Sequence, residues 1–217
     1  MAQPGVAFLL CALVGVVASM GSAEHPVLRG TGAAIDGDTL TVAGVTVRLL
    51  HIDAPETGQP FGPEATDMLA TLVAGAPVVC RGGSDDPYGR RLAKCTASGR
   101  DLAAEMAAQG GAAVFRRYGD THSGLEAEAR RARRGLWAAP DPVMPWDYRA
   151  ARWEAASTDP PRAECPIKGN ISRGRDRIYH APWSRWYDRT RIDASRGERW
   201  FCDEAEARAA GWRAPGG

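Results

Sequence analysis

The sequence predicts an α+β fold that is mainly β: a small five-stranded barrel with about three packed helices, followed by a small C-terminal module. Three observations predict it. Short apolar or alternating runs, separated by turns that contain Gly and Asp, are typical of antiparallel strands. Segments with apolar residues at helical spacing lie between and after these runs. Pro-containing stretches at 138–145 and 157–162 then divide the chain into two unequal parts.

Each element follows from its local pattern. Apolar or alternating runs predict strands at Val27–Ile35, Leu40–Val42, Val45–Ile52, Pro77–Cys80, Arg90–Cys95 and, more briefly, Ala112–Phe115. Apolar residues three and four apart predict helices at Pro63–Ala74, Asp101–Gln109, Leu125–Arg134 and Trp146–Ala155. Three strands, a helix, two strands and then helices suit a five-stranded barrel with helices outside. The pattern alone leaves that barrel as one candidate among several.

Composition narrows the class of protein. An apolar fraction of 44% in 217 residues is ordinary for a globular chain and argues against wholesale disorder. The formal net charge is +1, so the chain has no overall basic field. This near-neutrality argues against tight, charge-driven DNA binding, but it is compatible with an enzyme that must release its product.

The first 23 residues predict an export signal. Val6–Met20 is an unbroken run of apolar or small residues, too short to span a bilayer comfortably. Gly21–Ala23 then supplies the small residues at which a signal peptidase cuts. Because Met1–Gly5 contains no Lys or Arg, an uncleaved membrane anchor is the alternative. We expect a periplasmic or secreted protein, without stable membrane insertion once the signal is removed.

The cysteines are consistent with export. Cys11 would leave with the signal, and an even number in an exported chain favours disulfides. Four cysteines permit three pairings, and four buried free thiols are a further alternative. Zinc suits them poorly, because the chain contains neither a CxxC motif nor a nearby pair of histidines. The local pairing, which keeps each bridge inside one part of the chain, joins Cys80 to Cys95 and Cys165 to Cys202.

Acidic residues and arginines recur beside the predicted strands. The segments are DGDT at 36–39, RLL at 48–50, DAPE at 53–56 and DPYGR at 86–90. Strands joined by a tight turn would bring Asp38 and Asp53 together, and two adjacent carboxylates repel unless a cation lies between them. A hard divalent ion with oxygen ligands is the natural occupant. Glu56 and Arg48 can reach the same pocket, which suits an anionic phosphate centre.

In this order and spacing, the four segments closely resemble the staphylococcal nuclease (thermonuclease) family, whose pattern is DGDT, RL, D-x-P-E and YGR. The similarity continues through Gly62–Ala65 and Ala127–Trp137, and it covers Gly30 to Trp137. The resemblance implies an OB-fold barrel and an endonuclease that hydrolyses phosphodiester bonds. Its implied substrates are DNA and RNA, with single strands favoured and 3′-phosphorylated products. It implies no obligate protein partner.

The resemblance also implies roles for individual residues. They are the Ca²⁺ ligands Asp38, Asp53 and, through its main-chain carbonyl, Ala54; the general base Glu56; the phosphate-binding Arg48 and Arg90; and the nucleotide-side Tyr88 and Tyr118. The sequence departs from the family in two places. The loop between Glu56 and Phe61 is shorter than in typical members, which leaves open how the base is held. Arg116 stands where some members have a second tyrosine, which leaves the base preference open.

The C-terminal part resembles a different unit. Residues 167–172, 178–180, 197–202 and 204–213 are similar to a small module appended to some bacterial nucleases, a relative of the zinc-binding unit of the Ada DNA-repair protein. The cysteines needed for zinc are missing, with Ser184 near one expected position, so we expect a metal-free module. The resulting layout is a signal peptide at 1–23, a nuclease-like domain at 24–155, a linker at 156–163 and the module at 164–217.

Two other classes of function compete with the nuclease. One is a catalytically silent OB-fold that binds nucleic acid or protein in the envelope. The other is a non-nucleolytic envelope protein, for example one linked to polysaccharide export. Loss of catalysis would show as a missing Glu56, Arg48 or Arg90, and all three are present. Nothing in the chain indicates sugar chemistry. The sequence therefore predicts a nuclease.

Overall fold

The computed structural model describes residues 26–157 and 164–215. The predicted signal peptide and most of the predicted linker lie outside these residues. Within them, none of the helices combines the length and apolar character that crossing a membrane requires. The strands are β1 Leu28–Ala34, β2 Thr39–Val42, β3 Val45–Leu49, β4 Ile52–Asp53, β5 Pro77–Arg81, β6 Arg91–Ala97, β7 Arg100–Asp101, β8 Ala113–Val114, β9 Ile167–Ile171, β10 Arg177–His180 and β11 Arg199–Phe201. The α-helices are α1 Gly62–Val73, α2 Leu102–Gln109, α3 Ser123–Arg131, α4 Pro145–Ser157 and α5 Glu204–Ala209.

Five strands form a closed barrel. β1 pairs with β2 and β5, β2 pairs with β3, and β5 pairs with β6, all antiparallel. A parallel pairing of β3 with β6 closes the ring. In the turn between β2 and β3, Ala43 and Gly44 have φ of 50° and 81°, the conformation that suits the twist of a two-residue hairpin. The predicted α+β OB-fold barrel is confirmed.

The barrel interior and the helices outside it share one apolar core. Leu40, Val47 and Val78 are fully buried within the barrel, and α1 and α2 contribute Leu69 and Met106. Full burial of each large aliphatic side chain contributes about 1.5–3 kcal/mol, so this core is the main stabilising element of the domain. Because the core fixes the strands, it also fixes the positions of the loops that carry the acidic residues.

The predicted strand over Val45–Ile52 is interrupted. β3 ends at Leu49, and His51 has a φ of 70°, a left-handed conformation that a strand cannot contain. The chain resumes as the short β4, which pairs with β8 and not with the barrel. The prediction of one continuous strand is therefore wrong. The interruption matters for the site, because it gives Asp53 a buried position just beyond the barrel edge.

Two helices differ from their predicted bounds. α3 begins two residues before Leu125 and ends at Arg131, since Arg133 has a φ of 51° that a right-handed helix cannot accommodate. α4 extends through Ser157, so the first two residues of the predicted linker at 156–163 are helical. The other helices agree with prediction to within one or two residues.

The C-terminal segment has its own sheet and core. β9 lies between β10 and β11, and both pairings are antiparallel. Ile167, Tyr179, Phe201 and Trp212 form the centre of the core, and Trp153 from α4 packs against it. α4 therefore belongs structurally to both parts of the chain, because its residues also contact the first domain.

Both disulfides of the local pairing are formed. Cys80 and Cys95 face each other on β5 and β6, with 15 residues of sequence separation. Cys165 is joined to Cys202 in the C-terminal module, with a separation of 37. The first bridge closes the loop that presents Tyr88.

Replacing both barrel cysteines with alanine (Cys80→Ala with Cys95→Ala) should lower the free energy of unfolding by about 3 kcal/mol, because the unfolded chain regains its loop entropy. Urea unfolding of the variant and the wild type measures this difference. The matched control, Cys165→Ala with Cys202→Ala, should destabilise the module and leave the barrel transition in place. An unchanged barrel transition in the first variant would contradict the prediction.

Candidate active site

The turn between β1 and β2 holds Asp38 in a fixed orientation. Its carboxylate accepts hydrogen bonds from the Thr39 hydroxyl (2.8 Å) and from the main-chain N–H of Ala54 (2.9 Å). Its own N–H donates to the Asp36 carboxylate at 3.0 Å. Gly37 is required here, because a Cβ would lie 2.6 Å from the Cβ of Ala54 and 2.8 Å from that of Ala65. The tight turn therefore brings the DGDT and DAPE segments into contact.

Arg48 joins the two predicted metal ligands. Its Nη1 lies 2.6 Å from Asp38 Oδ1, and its Nη2 lies 2.8 Å from Asp53 Oδ1. Arg48 pairs with Thr39 in the β2–β3 ladder, so the hairpin register sets this position. The structure thus brings Asp38, Asp53 and Arg48 together, as the strand pattern predicts.

Glu56 lies on a short loop between β4 and α1. Its N–H donates to the side-chain oxygen of Gln59 (3.2 Å), and Gln59 in turn donates to the carbonyl of Val143 (2.7 Å). Gln59 is buried, so the short loop is held by a side chain within it. At the end of the loop, Gly62 contacts the backbone of Glu56 so closely that a Cβ there would overlap the Glu56 carbonyl oxygen.

A fifth group enters the cluster from α4. The guanidinium of Arg149 lies 2.6 Å from Asp53 Oδ2 through Nη2. Its Nη1 lies 3.1 Å from Asp53 Oδ1 and 2.8 Å from Glu56 Oε1. Arg149 therefore links the predicted metal ligand directly to the predicted general base.

The cluster carries more acidic than basic groups. Burial, with the nearby Asp38 carboxylate adding to it, raises the pKa of Asp36 to about 7. Burial also raises the pKa of Glu56 to about 8, with the charge of Arg149 opposing the shift. Burial alone would raise the pKa of Asp38 as well, but the guanidiniums of Arg48 and Arg90 outweigh it and the pKa is lowered. Two buried and two partly buried carboxyl groups, with two directly bonded guanidiniums, form a site suited to additional positive charge.

Arg90 and Tyr88 lie on the loop between β5 and β6. Arg90 donates to the Asp86 carboxylate at 2.8 Å through Nε, and the same carboxylate accepts from the N–H of Tyr88 at 2.8 Å. No hydrogen bond between Arg90 and the carboxylate cluster occurs in the part of the chain that is described. Arg90 nevertheless acts on the cluster through its charge, which opposes the rise in the pKa of Asp36 and contributes to the lowered pKa of Asp38.

The C-terminal module contacts this loop. Arg208 of α5 donates to the carbonyl of Tyr88 and lies over the Tyr88 ring, 5.0 Å from its centroid. A cavity of about 300 Å³ lies between the loop and the module, lined by Pro87 and Tyr88 on one side and by Trp183 and Glu204 on the other. The module therefore borders the side of the site where the predicted nucleotide contact lies.

Tyr118 lies on a 3₁₀ turn at Arg116–Tyr118 and is half exposed. Its ring packs against Phe115, with centroids 5.3 Å apart. The turn is anchored by the buried Glu126, whose carboxylate accepts from Arg116 at 2.9 Å. Tyr118 thus presents an open ring face on an anchored support, which suits stacking on a base.

Sequence reasoning missed two residues of the cluster. Asp36 belongs to the DGDT segment and has no predicted role, although its position beside Asp38 makes it part of the electrostatics of the cluster. Arg149 lies 93 residues from Glu56 in the sequence and in no recognised motif. Only the packing of α4 on the first domain brings it into the site, so no local signal pointed to it.

Gly62→Ala should reduce both stability and activity. The added methyl group has to displace the Glu56 backbone, at a cost of about 1–3 kcal/mol, and it shifts the carboxylate of Glu56. Thermal unfolding and initial cleavage rates measure the two effects. Gly124→Ala is the matched control, because a Cβ there meets nothing within 4 Å and it lies within a helix. Equal behaviour of the two variants would show that the Glu56 contact is unimportant.

A closed OB-fold barrel with buried carboxylates and arginines at one edge is an arrangement suited to chemistry at a phosphodiester. Comparison with known proteins agrees. The profile of the family described as staphylococcal nuclease homologue matches residues 46–139. An uncharacterized endonuclease of Escherichia coli O157:H7 is 40% identical over 122 residues, which is 53% of this chain and 80% of that protein. The chain belongs to the staphylococcal nuclease family.

Other relatives extend the comparison. A micrococcal nuclease of Shigella flexneri is 36% identical over 140 residues, covering 57% of this chain and 80% of its own. A probable staphylococcal-like nuclease of Oryza sativa subsp. japonica is 33% identical over 116 residues, covering 52% of this chain and 35% of its own. A second profile, of the family described as ArfC, matches residues 146–214, which contain α4 and the C-terminal module. The resemblance of this segment to the Ada unit stays a prediction.

Proposed function

We propose that this protein is a calcium-dependent endonuclease that hydrolyses the phosphodiester bonds of DNA and RNA, with single strands favoured and 3′-phosphorylated products. The observation that carries the proposal is the buried cluster in which Arg48 joins Asp38 to Asp53. In the same cluster the guanidinium of Arg149 joins Asp53 to Glu56. Membership of the staphylococcal nuclease family supports it, and family resemblance is the source of the calcium and product assignments.

The donor chemistry of the cluster fits a hard divalent cation. Asp38 and Asp53 offer carboxylate oxygens, and Ala54, which follows Asp53 and donates its N–H to Asp38, has a main-chain carbonyl to add to an oxygen-rich set of the kind that Ca²⁺ takes. In the described residues, no three His, Cys, Asp or Glu side chains are grouped closely enough to hold a metal by themselves. The site therefore needs the Ala54 carbonyl, and water or phosphate oxygens, in addition to the side chains.

The catalytic roles follow from where the charges lie. Glu56 accepts the proton of the attacking water in its ionised form. Burial raises its pKa to about 8, so the positive charge of a bound Ca²⁺ would be needed to keep this carboxylate ionised near neutral pH. Attack in line with the leaving 5′ oxygen increases the charge on the equatorial phosphate oxygens. Arg48 and Arg90 stabilise that charge through planar N–H pairs once they turn from the carboxylates they bind here, Asp38 and Asp53 for Arg48 and Asp86 for Arg90. A bound Ca²⁺ supplies additional positive charge for the same oxygens.

The surface around the cluster suits an unpaired strand. The half-exposed ring of Tyr118 offers a face on which a base of any sequence can stack, whereas the guanidiniums of Arg90 and Arg208 lie over the ring of Tyr88. The C-terminal module borders the Tyr88 side and narrows it. A single-stranded nucleic acid therefore fits this surface better than a rigid duplex.

Digestion of single-stranded DNA by the purified mature protein tests the proposal. Cleavage should require Ca²⁺, should stop in EGTA, and should fall sharply in Asp38→Ala and Asp53→Ala, since both remove an oxygen ligand. The ends of the products should carry 3′-phosphates. Full turnover in EGTA would exclude calcium at this site, and binding without cleavage would identify a catalytically silent OB-fold.

We also propose that the protein is exported and that its C-terminal module is a metal-free relative of the Ada unit. The two disulfides support export, because such bridges persist in oxidising compartments. Cys165 and Cys202 are bonded to each other and are therefore not free to bind zinc. Peptide mapping of the unreduced protein recovered from the periplasm or the medium, with zinc analysis of the same sample, tests both statements.

A further inference from the structure

We propose that Arg149 is a third arginine of the catalytic centre. In this proposal it holds Asp53 and Glu56 while no metal is bound, and it turns to the substrate phosphate when Asp53 engages Ca²⁺. The inference deepens the proposed function and rests on it. Arg149 lies outside the segment matched by the nuclease family profile, at 46–139, and inside the segment matched by the second profile, at 146–214.

The geometry of Arg149 is that of a cation bound by two carboxylates. Nη2 lies 2.6 Å from Asp53 Oδ2, and Nη1 is shared between Asp53 Oδ1 (3.1 Å) and Glu56 Oε1 (2.8 Å). The Asp53 side chain is fully buried, whereas 24% of the Arg149 side chain is exposed. The guanidinium thus reaches the cluster from its solvent side, the direction from which an ion or a phosphate would enter.

The carboxylate of Asp53 cannot be fully bonded to Arg149 and to a Ca²⁺ ion at the same time. Its two oxygens accept three N–H donors, one from Arg48 and two from Arg149. Oδ2 is bonded to Arg149 alone among the described residues. A metal ion on Asp53 therefore competes most directly with Arg149, and binding of the two cations should be negatively coupled.

A guanidinium released from its carboxylates needs another anion. Leaving a partly buried charge unpaired is costly, so Arg149 is unstable beside the metal unless it finds a new acceptor. A phosphate diester presents two oxygens in the geometry that a guanidinium binds in a bidentate manner. The scissile phosphate is the anion that reaches this position, next to the metal ligands and the base.

Contacts on both sides of Arg149 hold α4 in place, so Arg149 can change partners without movement of the helix. Tyr148, next to Arg149, donates from its hydroxyl to the carbonyl of Gly58 at 2.9 Å. Arg152, one turn later, donates to the carbonyl of Pro182 at 2.8 Å and pairs with the exposed Asp188. The helix is fastened on both sides of Arg149, so rotation of its side chain is enough for the exchange. Helix α4, which also packs against the C-terminal module, therefore completes the catalytic centre.

Calcium affinity and cleavage rate of the full-length mature protein test the proposal together. Arg149→Gln should bind Ca²⁺ at least about 10-fold more tightly in titration calorimetry, because the competing charge is gone. The same variant should cleave single-stranded DNA at saturating Ca²⁺ about 10²–10³-fold more slowly, the usual effect of removing one transition-state donor. Arg149→Lys keeps the charge without the planar pair, so it should retain calcium affinity near that of the wild type and still lose rate.

Arg131→Gln is the matched control, because it removes an exposed arginine of α3 that lies outside the cluster and outside the support of α4. Its calcium affinity and rate should equal those of the wild type. Unchanged or weaker calcium binding by Arg149→Gln, a wild-type rate, or an equal effect of Arg131→Gln would each overturn the role of Arg149. Failure of the proposed metal centre looks different: neither wild type nor Arg149→Gln would bind calcium, and cleavage would continue in EGTA. That result would overturn both the proposed calcium centre and the role of Arg149.

Discussion

Glu56→Gln should lower the rate of cleavage by about 10²–10⁴-fold, the usual contribution of a positioned general base. The amide has nearly the same shape and can still accept the hydrogen bond from Arg149, but it cannot take a proton from water. Asp38 and Asp53 keep their carboxylates, so calcium binding should largely survive. Single-turnover kinetics at saturating Ca²⁺, together with titration calorimetry, separate these two effects.

The control for Glu56 is Glu64→Gln, eight residues later. It makes the same change of charge on the exposed face of α1, in the first turn of that helix. Its rate should stay within a few-fold of the wild type. If Glu56→Gln also retained activity within a few-fold, Glu56 would have no part in proton transfer, and the base would have to be sought elsewhere in the cluster.

Much of this site could be predicted from the sequence, for a physical reason. Asp38, Arg48 and Asp53 lie on or beside one hairpin, so the hydrogen-bond register of neighbouring strands fixes their separation. The sequence motifs of this hairpin therefore determine nearly all of the relative positions of these three side chains. The cysteine pairing could be predicted because it keeps each bridge inside one part of the chain, and in the structure Cys80 and Cys95 lie opposite each other on adjacent strands.

The remaining features depend on contacts between distant segments. His51 takes a left-handed conformation inside an apolar run, and the pairing of β4 with β8 accompanies it, although nothing in residues 45–52 indicates a break. Arg149 reaches Asp53 across 96 residues of sequence, through the packing of α4. The contact of Arg208 with Tyr88 spans 120 residues. Local pattern carries no information about such contacts.

Arg48→Lys should reduce cleavage by about 10²–10³-fold although it conserves the positive charge. Two different nitrogens of Arg48 contact Asp38 and Asp53, at 2.6 and 2.8 Å, and one ammonium group cannot reproduce both contacts. The loss should appear in kcat, since the planar pair is needed most when charge grows on the phosphate. Arg100→Lys is the control, because that side chain is exposed and lies 3.9 Å from Glu105. If Arg48→Lys kept most of the rate, Arg48 would be contributing its charge alone.

The same residue should also couple stability to calcium. Arg48→Gln leaves two buried carboxylates without their shared partner, and breaking a buried ion pair in this way costs about 3–5 kcal/mol. Ca²⁺ between Asp38 and Asp53 would replace the missing charge, so the loss should be greatest in EGTA and should shrink as calcium is added. Denaturant unfolding of wild type and variant across a calcium series measures this difference. A loss independent of calcium would mean that Arg48 and the ion do not share these carboxylates.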